Sequence, residues 1–208
     1  MAKQIWKPGN MLYPLPAVMV SVTDGEGKDN IITVAWAGTI CSDPAMVSIS
    51  VRKERFSHDI IKDTGEFVIN LVNKKLVRAT DYCGVKSGRD VDKFAETRLT
   101  PQKSRYVKAP GIEESPVNIE CKVVEIKELG SHDMFIAKVM GVTIDNQYMD
   151  DRGKFNLNAS GLVSYSHGEY FELGKKLGSF GYSVKKTIKK RKTSAAPAKK
   201  GRNTSKKK

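Results

Sequence analysis

The sequence lacks any apolar run of about 18 residues, the length a helix needs to cross a bilayer, so no membrane span is expected. Its first ten residues carry Lys3 and Lys7 but no apolar stretch of the kind that fills a signal peptide, which speaks against export. Cysteine is scarce: Cys41, Cys83 and Cys121 are odd in number, far apart, and form no CxxC pair. That excludes a zinc ribbon and a dithiol redox motif, and it fits a reduced, cytoplasmic setting. Histidine is scarcer still in pattern, because His58, His132 and His167 are dispersed. The strings GxSxG, HExxH, GxxxxGK[ST] and GxGxxG are all missing, so hydrolase, zinc-protease, P-loop and Rossmann chemistries have no signature. A Cys83–His132 nucleophilic pair, or a metal site from the same residues, has no local support. Cys41 and Cys121 lie in strand-like contexts and read as core residues.

Acid is absent from one end. Residues 185–208 hold twelve Lys and Arg and no Asp or Glu. Of the 36 basic and 23 acidic residues, removing those twelve leaves 24 against 23, so the formal charge of +13 divides into a nearly neutral body and a polycationic tail. A folded basic face for nucleic acid is therefore not expected in residues 1–184. That length suits one domain with a substantial core. The tail is mostly Lys, Ser, Thr, Ala and Pro and cannot bury enough apolar surface to offset its conformational entropy, so it is expected to be disordered.

The body reads as mainly β. Residues 17–23 are an apolar, β-branched run that stops at the turn residues Asp24, Gly25, Gly27, Asp29 and Asn30, and residues 31–37 resume as a second strand of a hairpin. Asp43-Pro44 marks a turn, and residues 46–51 alternate apolar residues with Ser48 and Ser50. A helix is expected next, with Ser57 as N-cap, Ile60 and Ile61 on its apolar side and Gly65 at its end. A short strand follows over 67–71. A helix is expected over 75–82, stopped by Gly84, and another over 90–96. Residues 117–126 and 134–144 are long strand-like runs, broken near Gly130 and Asn146. Many strands with few short helices favour a barrel over βαβ units.

Two segments carry chemistry. Residues 50–59 run from a strand end into a helix start with Arg52, Lys53, Arg55, Ser50 and Ser57. Such a junction can hold a phosphate through hydroxyls, guanidinium and helix N–H groups. Residues 87–94 again combine Ser87, Gly88, Arg89 and Lys93 beside a short helix. Alone, each is also what a solvated charged turn looks like; together they suggest two anion-binding loops.

The string Asn30-Ile31-Ile32-Thr33-Val34-Ala35-Trp36, then Ser42-Asp43-Pro44, the 50–59 segment, Cys83-Gly84 and residues 87–94 resemble the flavin reductase-like family, its flavoredoxin-type members above all. Glu120-Cys121, Gly130-Ser131-His132-Asp133 and Phe135-Ile136 continue the resemblance, which spans roughly residues 10–182. It implies a split β-barrel that binds FMN non-covalently, as a homodimer with the flavin near the subunit interface. By the same resemblance Asn30, Thr33, Val34, Ala35, Trp36, Ser50, Val51 and Arg52 belong to the cofactor site. Arg52, Arg55, Ser57, Arg89 and Lys93, with Ser87, are its phosphate and ribityl ligands. His132 matches a family position near the flavin or the interface; an inter-strand structural histidine is the equal alternative. Trp36 and Cys83 are each either cofactor neighbours or packing residues.

A flavin would account for the missing catalytic set, because the cofactor carries the redox chemistry and the protein binds and orients it. NAD(P)H or a protein would be the electron donor, and without a Rossmann fingerprint a nicotinamide would have to stack on the flavin transiently. The competing reading is a nucleic-acid-associated protein that acts through residues 185–208, whose cations can neutralise phosphates non-specifically. An acidic partner protein, or no dedicated partner, are further uses of that tail, and a split barrel that has lost its flavin is the remaining alternative.

Overall fold

The computed structural model describes residues 1–185. Residues 1–173 form one unit. A second begins at Gly174, and its described part holds one 3-10 turn, Tyr182–Val184, entered from Gly181 at φ 78°. The expected basic tail lies outside the described residues, apart from Lys185.

In chain order the first unit runs β1 (Leu15–Pro16), β2 (Val18–Thr23), β3 (Asp29–Val34), β4 (Ala37–Ser42), β5 (Ala45–Arg52), α1 (Phe56–Thr64), β6 (Glu66–Leu71), α2 (Val77–Val85), α3 (Lys93–Thr97), β7 (Pro101–Gln102), β8 (Gly111–Ile112), β9 (Val117–Leu129), β10 (His132–Ile144), β11 (Val163–Ser166) and β12 (Glu169–Glu172). Seven strands make one antiparallel sheet in the order β3-β2-β6-β9-β10-β5-β4. The mainly β expectation holds.

Every residue of β2 is buried, which explains its unbroken apolar run. Val18, Val20 and Val22 face one core with Ile49, Phe67 and Phe135, and α1 adds Ile60 and Ile61 to it. Met19 faces a second core with Ile31, Val72, Leu76, Cys83, Phe94 and Ile112, where α2 and α3 cover the sheet. Each such side chain contributes about 2 kcal/mol by leaving water. The sheet therefore wraps the first core, and its edge strand β3 pairs with β2 alone. The roll stays open between β3 and β5. Register shifts between Ile136 and Ala137, and between Val139 and Gly141, bend the long β9–β10 hairpin, whose turn uses Gly130 at φ 63°.

Several local expectations are corrected. The strand expected over 31–37 ends at Val34; after Ala35 and Trp36 the chain turns into β4, the other edge, which lies along β5. The Ser50 N–H donates to the Trp36 carbonyl at 2.8 Å and pins that link. The N-cap of α1 is Arg55, not Ser57, and it makes no side-chain capping bond. Ser57 is buried and accepts a hydrogen bond from Asn30 Nδ2 at 2.8 Å instead. Gly65 does end the helix, at φ 66°. Gly84 does not stop α2, which runs to Val85. Its missing side chain serves packing: a Cβ there would lie 3.2 Å from Thr33 Cβ. Cys121 is buried in the core, but Cys41 is half-exposed on edge strand β4. The β11–β12 hairpin, joined to β1 in a three-stranded sheet, was not anticipated.

Candidate functional site

The opening between β3 and β5 forms a groove of about 360 Å³. One wall is the end of β3 and its link to β4: Thr33, Val34, Ala35 and Trp36. The other is the end of β5, Ser50, Val51 and Arg52, with Arg55 beyond it and His132 at the start of β10. His132 arrives there because β10 pairs it directly with Arg52. Its ring lies 4.4 Å from that of Trp36, and its Nδ1 is 2.9 Å from Ser131 Oγ. Burial and the nearby Arg52 guanidinium lower its pKa, which favours the neutral ring.

Ile32 and Arg55 are shared with a smaller cavity of about 180 Å³, which also holds Asn30, Ser57, Ser87, Arg89 and Lys93. All fourteen residues singled out from sequence thus line two adjoining cavities. The anion loop 50–59 and the loop 87–94 are brought together although more than 30 residues separate them.

The smaller cavity is strongly cationic. Arg55, Lys86, Arg89 and Lys93 line it, and Glu54 is the single acid. Glu54 is already engaged by Arg52 at 3.4 Å, and no ion pair among the described residues uses any of the four cations. Arg89 is oriented by a 3.0 Å bond from Nη1 to the Glu54 carbonyl and by the ring of Phe56, 5.4 Å from its guanidinium carbon. Lys93 is 3% exposed, and its ammonium donates to the carbonyls of Ile31 (2.7 Å) and Cys83 (2.8 Å). Two of its three N–H groups are used, leaving one for a ligand. Burial lowers its pKa to about 8, with Cys83 opposing and Arg55 reinforcing that change. Asn30 is held by Ser57 and abutted by Gly88, where a Cβ would fall 2.2 Å from Asn30 Oδ1. This cavity therefore matches a phosphate in the chemistry of its donors, and the groove beside it offers flat walls and backbone to a planar ring.

The sequence reading missed the far wall of the groove: Tyr13, Tyr165 and Tyr170, with Asp81 of α2. Tyr165 and Tyr170 meet edge to face at 5.6 Å, and Tyr170 makes a long 3.5 Å contact with Asp81. Burial, then Asp81, pushes the Tyr170 pKa up to about 12. Lys86 and Gly88 were likewise not assigned, though they flank Ser87 in the second loop. The Cys83–His132 pairing is not formed: Cys83 lines the small cavity, its thiol pushed up to about 11 by burial, while His132 stacks on Trp36 in the groove. Among the described residues no cluster of His, Cys, Asp and Glu is arranged to hold a metal, and no helix is long and apolar enough to cross a membrane.

A buried ion cluster braces both walls. His58 of α1 meets Asp133 Oδ2 through Nε2 at 2.9 Å and Asp59 through Nδ1 at 2.8 Å, and Lys53 lies 3.3 Å from the other Asp133 oxygen. Asp133 follows His132, and His58 follows Ser57, so this pair ties the two cavity-lining segments to each other.

Residues 11–174 match the model of the flavin reductase like domain. An uncharacterized protein of Archaeoglobus fulgidus is 31% identical over 160 residues, covering 77% of this chain and 88% of its own length. Among solved structures, the flavoredoxin of Desulfovibrio vulgaris superposes with a TM-score of 0.82 at 32% identity, covering 88% of this chain and 100% of that one. A flavoredoxin from Methanosarcina acetivorans gives 0.78 at 26% identity, with coverage of 88% and 100%.

Proposed function

We propose that this chain, which belongs to the flavin reductase-like domain family, is a flavoredoxin-type split barrel that binds FMN non-covalently and uses it to pass electrons from NAD(P)H or a protein donor to a flavin or another acceptor. One observation carries the reading. Four cations free of ion pairs surround a small cavity at the end of a groove with planar walls. Arg55, Ser57, Ser87, Arg89 and Lys93 would hold the phosphate and ribityl end. The backbone and small side chains of residues 33–36 and 50–52 would serve the polar edge of the ring.

Bound FMN supplies hydride acceptance and one- or two-electron transfer. The chain supplies the rest. The buried Lys93 ammonium and the Arg55 and Arg89 guanidinium groups neutralise the phosphate in a low-dielectric pocket, where each contact is stronger than in water. Trp36 is 37% exposed, so the stacked Trp36–His132 pair shields one wall of the groove while remaining open to an incoming partner. The family's homodimer is supported by apolar side chains left exposed on the sheet, Ile40 of β4, Val124 of β9 and Val142 of β10. The test is a visible spectrum of the purified protein and an FMN titration of the stripped protein, followed by anaerobic NADH and NADPH added separately. The expected result is a yellow protein that bleaches on reduction. A colourless protein that takes up no FMN would overturn the reading.

A further inference from the structure

The small cationic cavity is not the end of the groove. Gly88 and Arg89 also line a third cavity of about 470 Å³, between the β2–β3 turn and the loop that leads into and past α3. We propose that this cleft receives a second nucleoside, so that the site accepts a flavin carrying a pyrophosphate and adenosine as well as one ending in a monophosphate. This rests on the flavin reading above and extends the ligand class of the same site.

The charge arrangement points there. A monophosphate brings at most about two negative charges. Arg55, Lys86, Arg89 and Lys93 already exceed that inside the small cavity. Lys28 is a fifth cation with no part in binding a monophosphate. It lies on the third cavity's side, its Nζ 4.5 Å from the centre of the Phe56 ring, the same ring that carries Arg89. Lys28 and Arg89 therefore share one aromatic support at the junction of the two cavities, and no carboxylate among the described residues pairs with either. A pyrophosphate crossing that junction would meet Arg89 and then Lys28.

Beyond the junction the lining changes character. Asp29, Asp90 and Asp92 supply carboxylates, and Val91, Phe94 and Pro101 supply apolar surface. Further phosphates would be repelled there. Ribose hydroxyls and an exocyclic amine are donors that carboxylates accept, and a planar base suits the apolar side chains. The order from the groove outward is thus planar ring, cations, carboxylates with apolar surface. It matches ring, pyrophosphate, nucleoside. A cavity of this size is within the range that buries a small ligand fragment, whereas the 180 Å³ pocket holds little more than the phosphate and its ester.

The test is calorimetric titration of the flavin-stripped full chain with riboflavin, FMN and flavin adenine dinucleotide, for the natural chain and for Lys28→Ala. Lys28 is exposed on a turn, so its removal leaves the fold intact. The dinucleotide is expected to bind at least as tightly as FMN. Lys28→Ala is expected to weaken the dinucleotide about fivefold while leaving FMN within about twofold. FMN binding with a much weaker dinucleotide, or an equal loss of both ligands in Lys28→Ala, overturns the extension alone. Binding of neither overturns the flavin site and the extension with it.

Discussion

Lys93 offers the sharpest test of the phosphate pocket, because its burial makes its charge conditional. In the free protein its pKa is about 8 instead of the usual 10.5, so the fold disfavours the ammonium by about 3 kcal/mol. A phosphate dianion at the remaining N–H favours the ammonium and raises that pKa. FMN affinity should then hold steady from about pH 6, where the phosphate takes up its second proton, to about pH 8. Above that it should fall by about tenfold per pH unit until the complex's own pKa is reached. Riboflavin has no phosphate and should show no such fall. Lys93→Met removes one charge-assisted bond, worth about 1.5–3 kcal/mol, so FMN should bind about ten- to 150-fold more weakly with riboflavin almost unchanged. The stability of the free protein gives an independent check. Between pH 8 and 10.5 the unfolded chain holds a proton at Lys93 that the folded chain has lost, so stability should rise with pH across that window. Lys93→Met should lack the rise. Fluorescence titrations at several pH values and urea melts at pH 7.5 and 9.5 measure both. Equal losses for FMN and riboflavin in Lys93→Met, or an FMN affinity constant from pH 7 to 10, would refute the assignment.

Gly88→Ala forces its new Cβ against the Asn30 amide and should break the Asn30–Ser57 bond, weakening FMN by about 1–2 kcal/mol in the same titration. Asp133→Ala leaves His58 and Lys53 facing a buried gap and should cost about 3–5 kcal/mol in a urea melt. Burial acts to raise the Asp133 pKa, but hydrogen bonds from His58 and Lys53 outweigh it and hold the carboxyl below its usual value. Its contribution is therefore complete above the unfolded carboxyl pKa and fades as pH falls through the folded one, so the natural chain should lose its stability advantage over Asp133→Ala in acid. Truncation after Val184 should abolish any salt-dependent binding of DNA or RNA, measured by mobility shift. Equal binding by the truncated and full chains would exclude the tail as its source.

What the sequence made legible was local. The β2 run was readable because both its faces are buried, so no polar alternation blurs it. The two anion loops were readable because hydroxyls, glycine and cations crowd into ten residues each. Ser57 was misread as a cap because its hydroxyl is bonded across the molecule by Asn30, 27 residues earlier, and no local rule foresees that partner. Gly84 was misread as a breaker because its role is steric, and the crowding atom belongs to Thr33 on another strand. The tyrosine wall depends on β1 pairing with β11, which sets Leu15 opposite Tyr165 across 150 residues. The β11–β12 turn did carry a signal, Gly168 after His167, both at positive φ, but four-residue strands beside it are too short to stand out.

Charge shows why composition alone could not locate the site. A body with 24 basic and 23 acidic residues looks balanced, yet the balance is uneven in space. Asp133 is buried with Lys53 beside it, and buried Glu120 accepts backbone N–H groups from Arg105 and Tyr106. Lys93, equally buried, has only two neutral carbonyls. Three further unpaired cations stand around the same cavity. A fold selected for stability alone would gain by exchanging a buried ammonium without a counter-ion for an apolar side chain. Its retention makes sense if the missing negative charge arrives with a ligand, since an anion entering the cavity converts an unfavourable buried charge into a paired one. The free protein is then destabilised at the point where binding restores the balance. The same argument explains why the body's net charge is near zero while its one concentrated cationic spot lies at the end of the groove.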